Sequence, residues 1–102
     1  MPTICFDVDG TLIQETSDGV EVPNYPIIWF IDFLKKFTFC EVFVWSGGGT
    51  DYAERWVKKL GLTDIINGII EKGSITPDIT FDDQNCTLGQ VNLKVNDYFY
   101  ES

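Results

Sequence analysis

Histidine is absent from this chain, and basic residues of any kind are few. The sequence has 7 lysines and arginines against 16 aspartates and glutamates, which gives a formal net charge of −9 at pH 7. The lack of histidine excludes histidine-activated nucleophiles and the usual zinc sites, and it leaves carboxylates as the acid–base groups near neutral pH. The scarcity of positive charge argues against nonspecific binding to nucleic acid or to an anionic membrane. An anionic substrate must therefore be attracted locally.

Cysteine and long apolar runs are also scarce. The three cysteines, Cys5, Cys40 and Cys86, are an odd number at wide spacing and form no Cys-x-x-Cys pair. No charged segment followed by a long apolar run opens the chain, and no run approaches the roughly 20 apolar residues of a membrane span. These features predict a reduced, cytoplasmic protein without a membrane partner. Cys5 and Cys40 lie in apolar runs, which predicts that they are small core residues rather than catalytic thiols.

What the chain does contain is enough apolar material for one domain, residues 1–102. Hydrophobic residues make up 44% and aromatic residues 15% of the sequence, so a core can form without disulfides or a structural metal. Apolar runs at 3–6, 40–45 and 79–81 predict buried strands, and residues 91–100 alternate weakly, as an edge strand would.

Helix patterns separate these strands. Apolar residues recur at helical spacing after Pro26, and a second helix pattern starts at Asp51, with Glu54 three residues on, and stops at Gly61. The alternation predicts an α/β fold with a mainly parallel sheet, right-handed crossovers and a site at the carboxyl ends of the strands. Residues 12–16 and 20–22 flank Ser17-Asp18-Gly19, which predicts a β-hairpin beside that site.

Two carboxylates, Asp7 and Asp9, stand where the first strand runs into Gly10. The period of a strand places both on one side, where two anions repel each other unless a cation or a shared proton lies between them. A divalent metal, most naturally magnesium, relieves that repulsion. The alternative is that Asp9-Gly10 is only a turn, since Asp-Gly is a common turn dipeptide.

Two further strand ends are expected to meet Asp7 if the sheet is parallel. Ser46 and the glycines 47–49 join a strand to a helix, an arrangement that binds phosphate through backbone N–H groups and the helix dipole. Asp82 and Asp83 follow the third strand and add ligands of the kind magnesium prefers. Lys72 is a cation placed to neutralise a bound phosphate. A flexible glycine loop and an exposed Asp-Asp turn are the alternatives.

The order of these motifs resembles that of the haloacid dehalogenase superfamily of phosphatases and phosphotransferases. Its four motifs are matched by residues 7–11, by Ser46 after an apolar strand, by Lys72, and by Phe81-Asp82-Asp83. The resemblance implies a Rossmann-like three-layer sandwich with a hairpin flap after the first strand and no cap domain. It also implies a nucleophile that forms an aspartyl-phosphate and a neighbouring acid–base residue. The implied roles are catalysis by Asp7 and Asp9, phosphate binding by Ser46, Gly47 and Lys72, and Mg²⁺ binding by Asp7, Asp9 through its backbone carbonyl, Asp82 and Asp83.

Two functional hypotheses follow. The first is a magnesium-dependent phosphatase acting on a phosphorylated small molecule or macromolecule, with an oligomer or a partner chain as possible cover for the site. The second is a binding or regulatory module that holds metal but turns over little, because a fold does not fix a function. Trp45 and Tyr52, if they are exposed, are candidates for substrate specificity.

Overall fold

The computed structural model describes residues 1–96, in which nine regular elements follow one another. Residues 97–102 lie outside the described part, and with them the end of the predicted edge strand. The elements are β1 (Thr3–Asp7), β2 (Ile13–Glu15), β3 (Glu21–Pro23), α1 (Tyr25–Phe37), β4 (Glu41–Trp45), α2 (Thr50–Lys59), β5 (Gly68–Ile69), β6 (Ile79–Asp82) and β7 (Val91–Lys94).

Five of the strands form one sheet in the order β5-β4-β1-β6-β7, and every neighbouring pair is parallel. The predicted α/β fold with a mainly parallel sheet is confirmed. The central strand is β1, and its last residue, Asp7, is in register with Trp45 of β4. On the other side Phe6 pairs with Phe81 of β6. Ser46 and Asp82, which come next along their strands, are thereby brought to the same edge as Asp7.

The segment between β1 and α1 contains a two-stranded antiparallel sheet. Strands β2 and β3 pair from Ile13 with Pro23 to Glu15 with Glu21, and Gly19 in their connection has a φ of 80°. A positive φ suits glycine because other residues clash there. The hairpin predicted for this segment is therefore present, directly after the Asp7 to Gly10 turn.

The apolar core lies between the helices and one face of the sheet. Ile4 and Phe6 of β1 share a buried cluster with Val42 and Val44 of β4, which occupy the matching register positions. The same cluster contains the inward residues of both helices, which are Ile31, Leu34, Ala53 and Val57. Both helices therefore pack on the same face, which is the placement expected of right-handed crossovers that run in one direction, from β1 to β4 and from β4 to β5. 

Some local predictions need correction. Helix α2 starts at Thr50 after Gly49, whose φ is 98°, which is one residue before the predicted start at Asp51, and no side chain caps it. Asp51 instead lies in the first turn, where a negative charge suits the helix dipole. The two-residue strand β5 is not predicted from the sequence.

The cysteines behave as predicted. Cys5 and Cys40 are buried and all three thiols are free. Burial, assisted by the charge of Cys86, raises the pKa of Cys5 to about 12. A thiol with so high a pKa is a poor nucleophile near neutral pH, because the thiolate is the reactive form.

Candidate active site

Three carboxylates converge at the carboxyl edge of the sheet. Oxygen atoms of Asp7, Asp82 and Asp83 all lie within 4.8 Å of one another. Asp7 is 6% exposed and Asp82 is 1% exposed, so two of the three are removed from bulk water. Burial raises the pKa of Asp7 to about 6, and the negative charges of Asp82 and Asp83 act in the same direction. Oxygen ligands grouped in this way suit a hard divalent cation.

Lys72 is the cation that contacts this cluster. Its Nζ lies 2.8 Å from Asp82 Oδ2 and 3.3 Å from Asp7 Oδ1. Partial burial opposes the charged amine, but the hydrogen bond to Asp82 and the charge of Asp7 outweigh that effect and raise the pKa of Lys72. The lysine is therefore charged near neutral pH and bridges the ends of β1 and β6.

Gly10 allows Asp83 to approach the turn after β1. A Cβ atom at Gly10 would collide with the Asp83 carboxylate, and the φ of Gly10 is 74°. The turn is tight, since Val8 O accepts hydrogen bonds from the backbone of Thr11, Leu12 and Ile13. Asp9-Gly10 is thus a turn, as the alternative interpretation held, and the Asp83 carboxylate also lies directly against Gly10.

Asp9 points its carboxylate elsewhere. Its side chain is exposed, it does not belong to the three-carboxylate cluster, and its Oδ1 accepts a hydrogen bond of 2.6 Å from the Tyr52 hydroxyl. Burial first, and the contact with Asp9 second, raise the pKa of Tyr52 to about 12, so the phenol remains a donor. The sequence did not point to this pairing, because 43 residues separate the two partners.

The glycine loop after β4 brings a hydroxyl and backbone N–H groups to the same edge. Ser46 is 4% exposed, and its Oγ accepts a hydrogen bond of 3.0 Å from the N–H of Gly48. Gly47 has open space around its Cα, and α2 begins shortly afterwards at Thr50. The neighbouring Trp45 is fully buried, which excludes it as a surface determinant of specificity.

Comparison with protein-family models, curated proteins and solved structures found no match to this chain. No helix in the described part of the chain is long and apolar enough to cross a membrane.

One cavity borders Tyr52 and another borders Asp9. One, of ≈ 440 Å³, is lined by Tyr52, Arg55, Trp56 and Lys59, and the guanidinium of Arg55 lies 5.8 Å from the centre of the Tyr52 ring. The other, of ≈ 100 Å³, lies against the hairpin and is lined by Asp9, Gly10, Ile13, Gln14, Glu15 and Glu21. Two cations of this acidic chain thus stand on the α2 side of Asp9, where they attract anions locally.

The predicted site residues fall into three groups in space. Asp7, Lys72, Asp82 and Asp83 form one contiguous cluster. Ser46 and Gly47 follow the strand that pairs with β1. Asp9 lies two residues from Asp7, but its carboxylate is hydrogen-bonded to α2. Tyr52 is the additional residue that the structure brings to the site.

Proposed function

We propose that this protein is a magnesium-dependent phosphatase that forms an aspartyl-phosphate on Asp7, as members of the haloacid dehalogenase superfamily do. The observation that carries the proposal is the contact of Lys72 with both Asp7 and Asp82 at the carboxyl edge of the parallel sheet. A carboxylate beside a cation and a set of metal ligands is a combination suited to phosphoryl transfer through an aspartyl-phosphate.

The donor set fits magnesium. Asp7, Asp82 and Asp83 offer carboxylate oxygens within 4.8 Å of one another, and the described residues include no histidine or thiol in that cluster. Carboxylate and carbonyl oxygens are ligands that Mg²⁺ prefers, and the backbone carbonyl of Asp9 completes the proposed set. When bound, the ion supplies positive charge that offsets the negative charge of the phosphoryl group in transfer.

The chain's own residues perform two displacements. A carboxylate oxygen of Asp7 attacks phosphorus as the bond to the leaving oxygen breaks, and Asp9 donates a proton to that oxygen. Asp9 then accepts a proton from a water molecule that attacks the phosphorus, which frees Asp7 and releases inorganic phosphate. Ser46 Oγ, the N–H of Gly47 and Lys72 hold the phosphoryl oxygens during both steps.

The finer architecture belongs to the same proposal. We take the chain as a Rossmann-like domain with no cap domain, in which the β2–β3 hairpin acts as a flap beside Asp9. Both helices of the described residues share one core cluster, so the third layer that the resemblance implies is not part of this proposal. The small cavity between Asp9 and the hairpin supports this assignment, since the leaving group would lie there. The substrate is a phosphate ester of a small molecule or a macromolecule.

A second candidate is a metal-binding or regulatory module with negligible turnover. The observation in its favour is that the Asp9 carboxylate is hydrogen-bonded to Tyr52 and lies outside the cluster that contains Asp7. A site whose acid–base residue is held away from the nucleophile would bind a metal ion but would not catalyse hydrolysis. The two candidates differ in turnover and not in metal affinity.

Hydrolysis of p-nitrophenyl phosphate tests the first candidate against the second. We expect turnover with added Mg²⁺, no turnover with excess chelator, and recovery when Mg²⁺ is restored. Magnesium binding measured by calorimetry on the same preparation provides the second readout. Magnesium binding without hydrolysis of this ester or of a panel of alkyl and aryl phosphates would favour the binding module.

Tyr52 is expected to orient Asp9 for proton donation, so Tyr52→Phe should lower kcat about tenfold for an alkyl phosphate and leave KM nearly unchanged. The loss should be smaller for p-nitrophenyl phosphate, because its leaving group needs less protonation. Tyr25→Phe, which removes a hydroxyl from α1, is the matched control. Equal losses with both esters would contradict a role for Tyr52 in proton donation.

A further inference from the structure

Helix α1 has a second apolar stripe on the side opposite the core. Its core side buries Ile31 and Leu34. Yet an aromatic residue recurs at every fourth position on another side, and these side chains are largely exposed. The exposed fractions are 50% for Tyr25, 66% for Trp29, 53% for Phe33 and 73% for Phe37. A helix at the surface of a monomer carries polar residues there, so this stripe resembles a surface that another molecule covers.

The rings of this stripe are already paired within the chain. Tyr25 stacks on Trp29 with ring centres 5.7 Å apart, and Phe33 lies 5.2 Å from Phe37. Rings that are ordered before association lose less conformational freedom when a partner binds. The stripe is thus a preorganised surface as well as an apolar one.

The apolar surface continues from α1 onto the sheet. Phe30 packs edge-on against Phe6 and Phe81, so this side of α1 overlooks β6. Phe81 is in register with Leu93 of β7, and Ile79 is in register with Val91, so the two β7 side chains share the face on which α1 lies. Val91 is 51% exposed and Leu93 is 44% exposed. The helix and the edge strand therefore border one uncovered apolar surface.

The size of this surface approaches what a stable dimer needs. With roughly 200 Å² for a whole aromatic side chain, the exposed fractions of its five aromatic residues and of the two β7 residues leave about 700 Å² open. The largest apolar patch of a monomer is usually about 300–600 Å², and a standard interface buries about 800 Å² on each partner. The five aromatic residues are Tyr25, Trp29, Phe30, Phe33 and Phe37.

We propose that a second copy of this chain covers the surface, in a two-fold symmetric dimer formed by α1 and the β7 side of the sheet. A two-fold interface uses the same patch on both copies, so one apolar stripe supplies both halves. Charge favours this occupant: α1 has two lysines and one aspartate in a chain of net charge −9, and Lys36 is paired with Asp32 at 2.9 Å. Repulsion between the copies at this surface is therefore weaker than the net charge of −9 alone would give.

Sedimentation equilibrium of the full chain over a range of concentrations tests the proposal. We expect a mass of two chains for the wild type, and a dimer at least about 30-fold weaker for Trp29→Glu and for Phe33→Glu, the change expected for a central interface residue. Both side chains are exposed, so the fold should persist, which circular dichroism checks. The control variants, Val20→Glu and Ile75→Glu, add the same charge at exposed apolar residues outside the patch and should leave the dimer intact.

Salt provides an independent readout. Raising the ionic strength from about 0.01 M to about 1 M shortens the Debye length from about 30 Å to 3 Å, so it screens the repulsion between two acidic copies. Dimerisation should therefore strengthen with salt. A monomeric wild type at all concentrations overturns the proposal, as does a dimer that only the control variants weaken. A monomer that floats with phosphatidylcholine vesicles would assign the surface to a membrane and also overturn it.

Discussion

Replacing Asp7 with asparagine is expected to lower phosphate-ester hydrolysis at least about 1,000-fold while the fold is retained. The amide has nearly the same shape as the carboxylate, but it is a very poor nucleophile toward phosphorus. Asp7 is 6% exposed at the end of the central strand, where its carboxylate contacts Lys72, and an amide at that position keeps the side chain in place but removes its negative charge. Initial rates with p-nitrophenyl phosphate and Mg²⁺, on variants with matching circular dichroism, measure the effect.

Asp64→Asn is the matched control for this experiment. It makes the same chemical change at an exposed carboxylate between α2 and β5, so its rate should match that of the wild type. A trapping experiment separates loss of the nucleophile from a general disturbance: acid quenching during turnover should leave phosphate bound to the wild type and none bound to Asp7→Asn. Hydrolysis by Asp7→Asn at the wild-type rate would remove Asp7 from the mechanism.

The main parts of the fold follow from the sequence because they depend on short-range patterns. Apolar runs of strand length alternate with helix patterns, and that order by itself favours a parallel sheet. Once the sheet is parallel, Asp7, Ser46 and Asp82 must share an edge, although they are far apart in the chain. Their juxtaposition is therefore predictable from topology, with no knowledge of any side-chain contact.

The features that the sequence does not predict depend on individual contacts between elements and on details at the ends of elements. The direction of the Asp9 side chain is set by Tyr52, which α2 brings across the loop after β4. Strand β5 has only two residues, too few for any period to be visible. Helix α2 starts after a glycine with positive φ, one residue before the start that Asp51 and Glu54 indicate. Each of these features depends on how the elements are placed relative to one another in the folded chain, and hydrophobic periodicity carries no information about that placement.

The spacing of motifs likewise left the contacts of Lys72 undetermined. The sequence places a lysine within reach of the site and predicts that it holds a phosphate. In the structure its amine contacts Asp7 and Asp82 directly. Both roles require the same position, since a cation that lies against the proposed nucleophile, Asp7, also lies where the phosphoryl oxygens of the proposed substrate would arrive. The contact to Asp82 shows that Lys72 stabilises the acidic edge as well.

The acidic cluster should make the stability of the metal-free protein fall as pH rises. The folded pKa of Asp7 is about 6, above its ordinary value of 3.8, so the folded state holds the proton more tightly than the unfolded state. The favourable contribution is complete below about pH 4 and is lost as pH rises to about 6. The pKa of Asp83 is raised in the same direction, by burial and then by Asp82. The raised pKa of Lys72 acts only at alkaline pH, above its ordinary value of 10.5.

A charged Asp7 destabilises the metal-free folded state at pH 8, and Asp7→Asn removes most of that destabilisation. We therefore expect the variant to raise the free energy of unfolding at pH 8 by about 1 to 3 kcal/mol with chelator present. The lower figure allows for the weakened contact with Lys72. Urea unfolding from pH 4 to pH 8 measures the difference between variant and wild type, which should grow across the interval from pH 4 to pH 6. Asp64→Asn should follow the wild type at each pH.

Magnesium should make the wild type more stable than Asp7→Asn, the reverse of the order expected without the ion. A ligand that binds only the folded state stabilises it by about 2.7 kcal/mol at a concentration of 100 times Kd, and the wild type retains the carboxylate that the ion needs. At pH 8 with saturating Mg²⁺ the wild type should gain stability and Asp7→Asn should gain much less. Equal gains would show that the ion binds without Asp7, and the absence of any gain in the wild type would remove magnesium from the site. The destabilisation of the metal-free cluster thus follows from the same buried, mutually repelling carboxylates that would give the site its affinity for a cation.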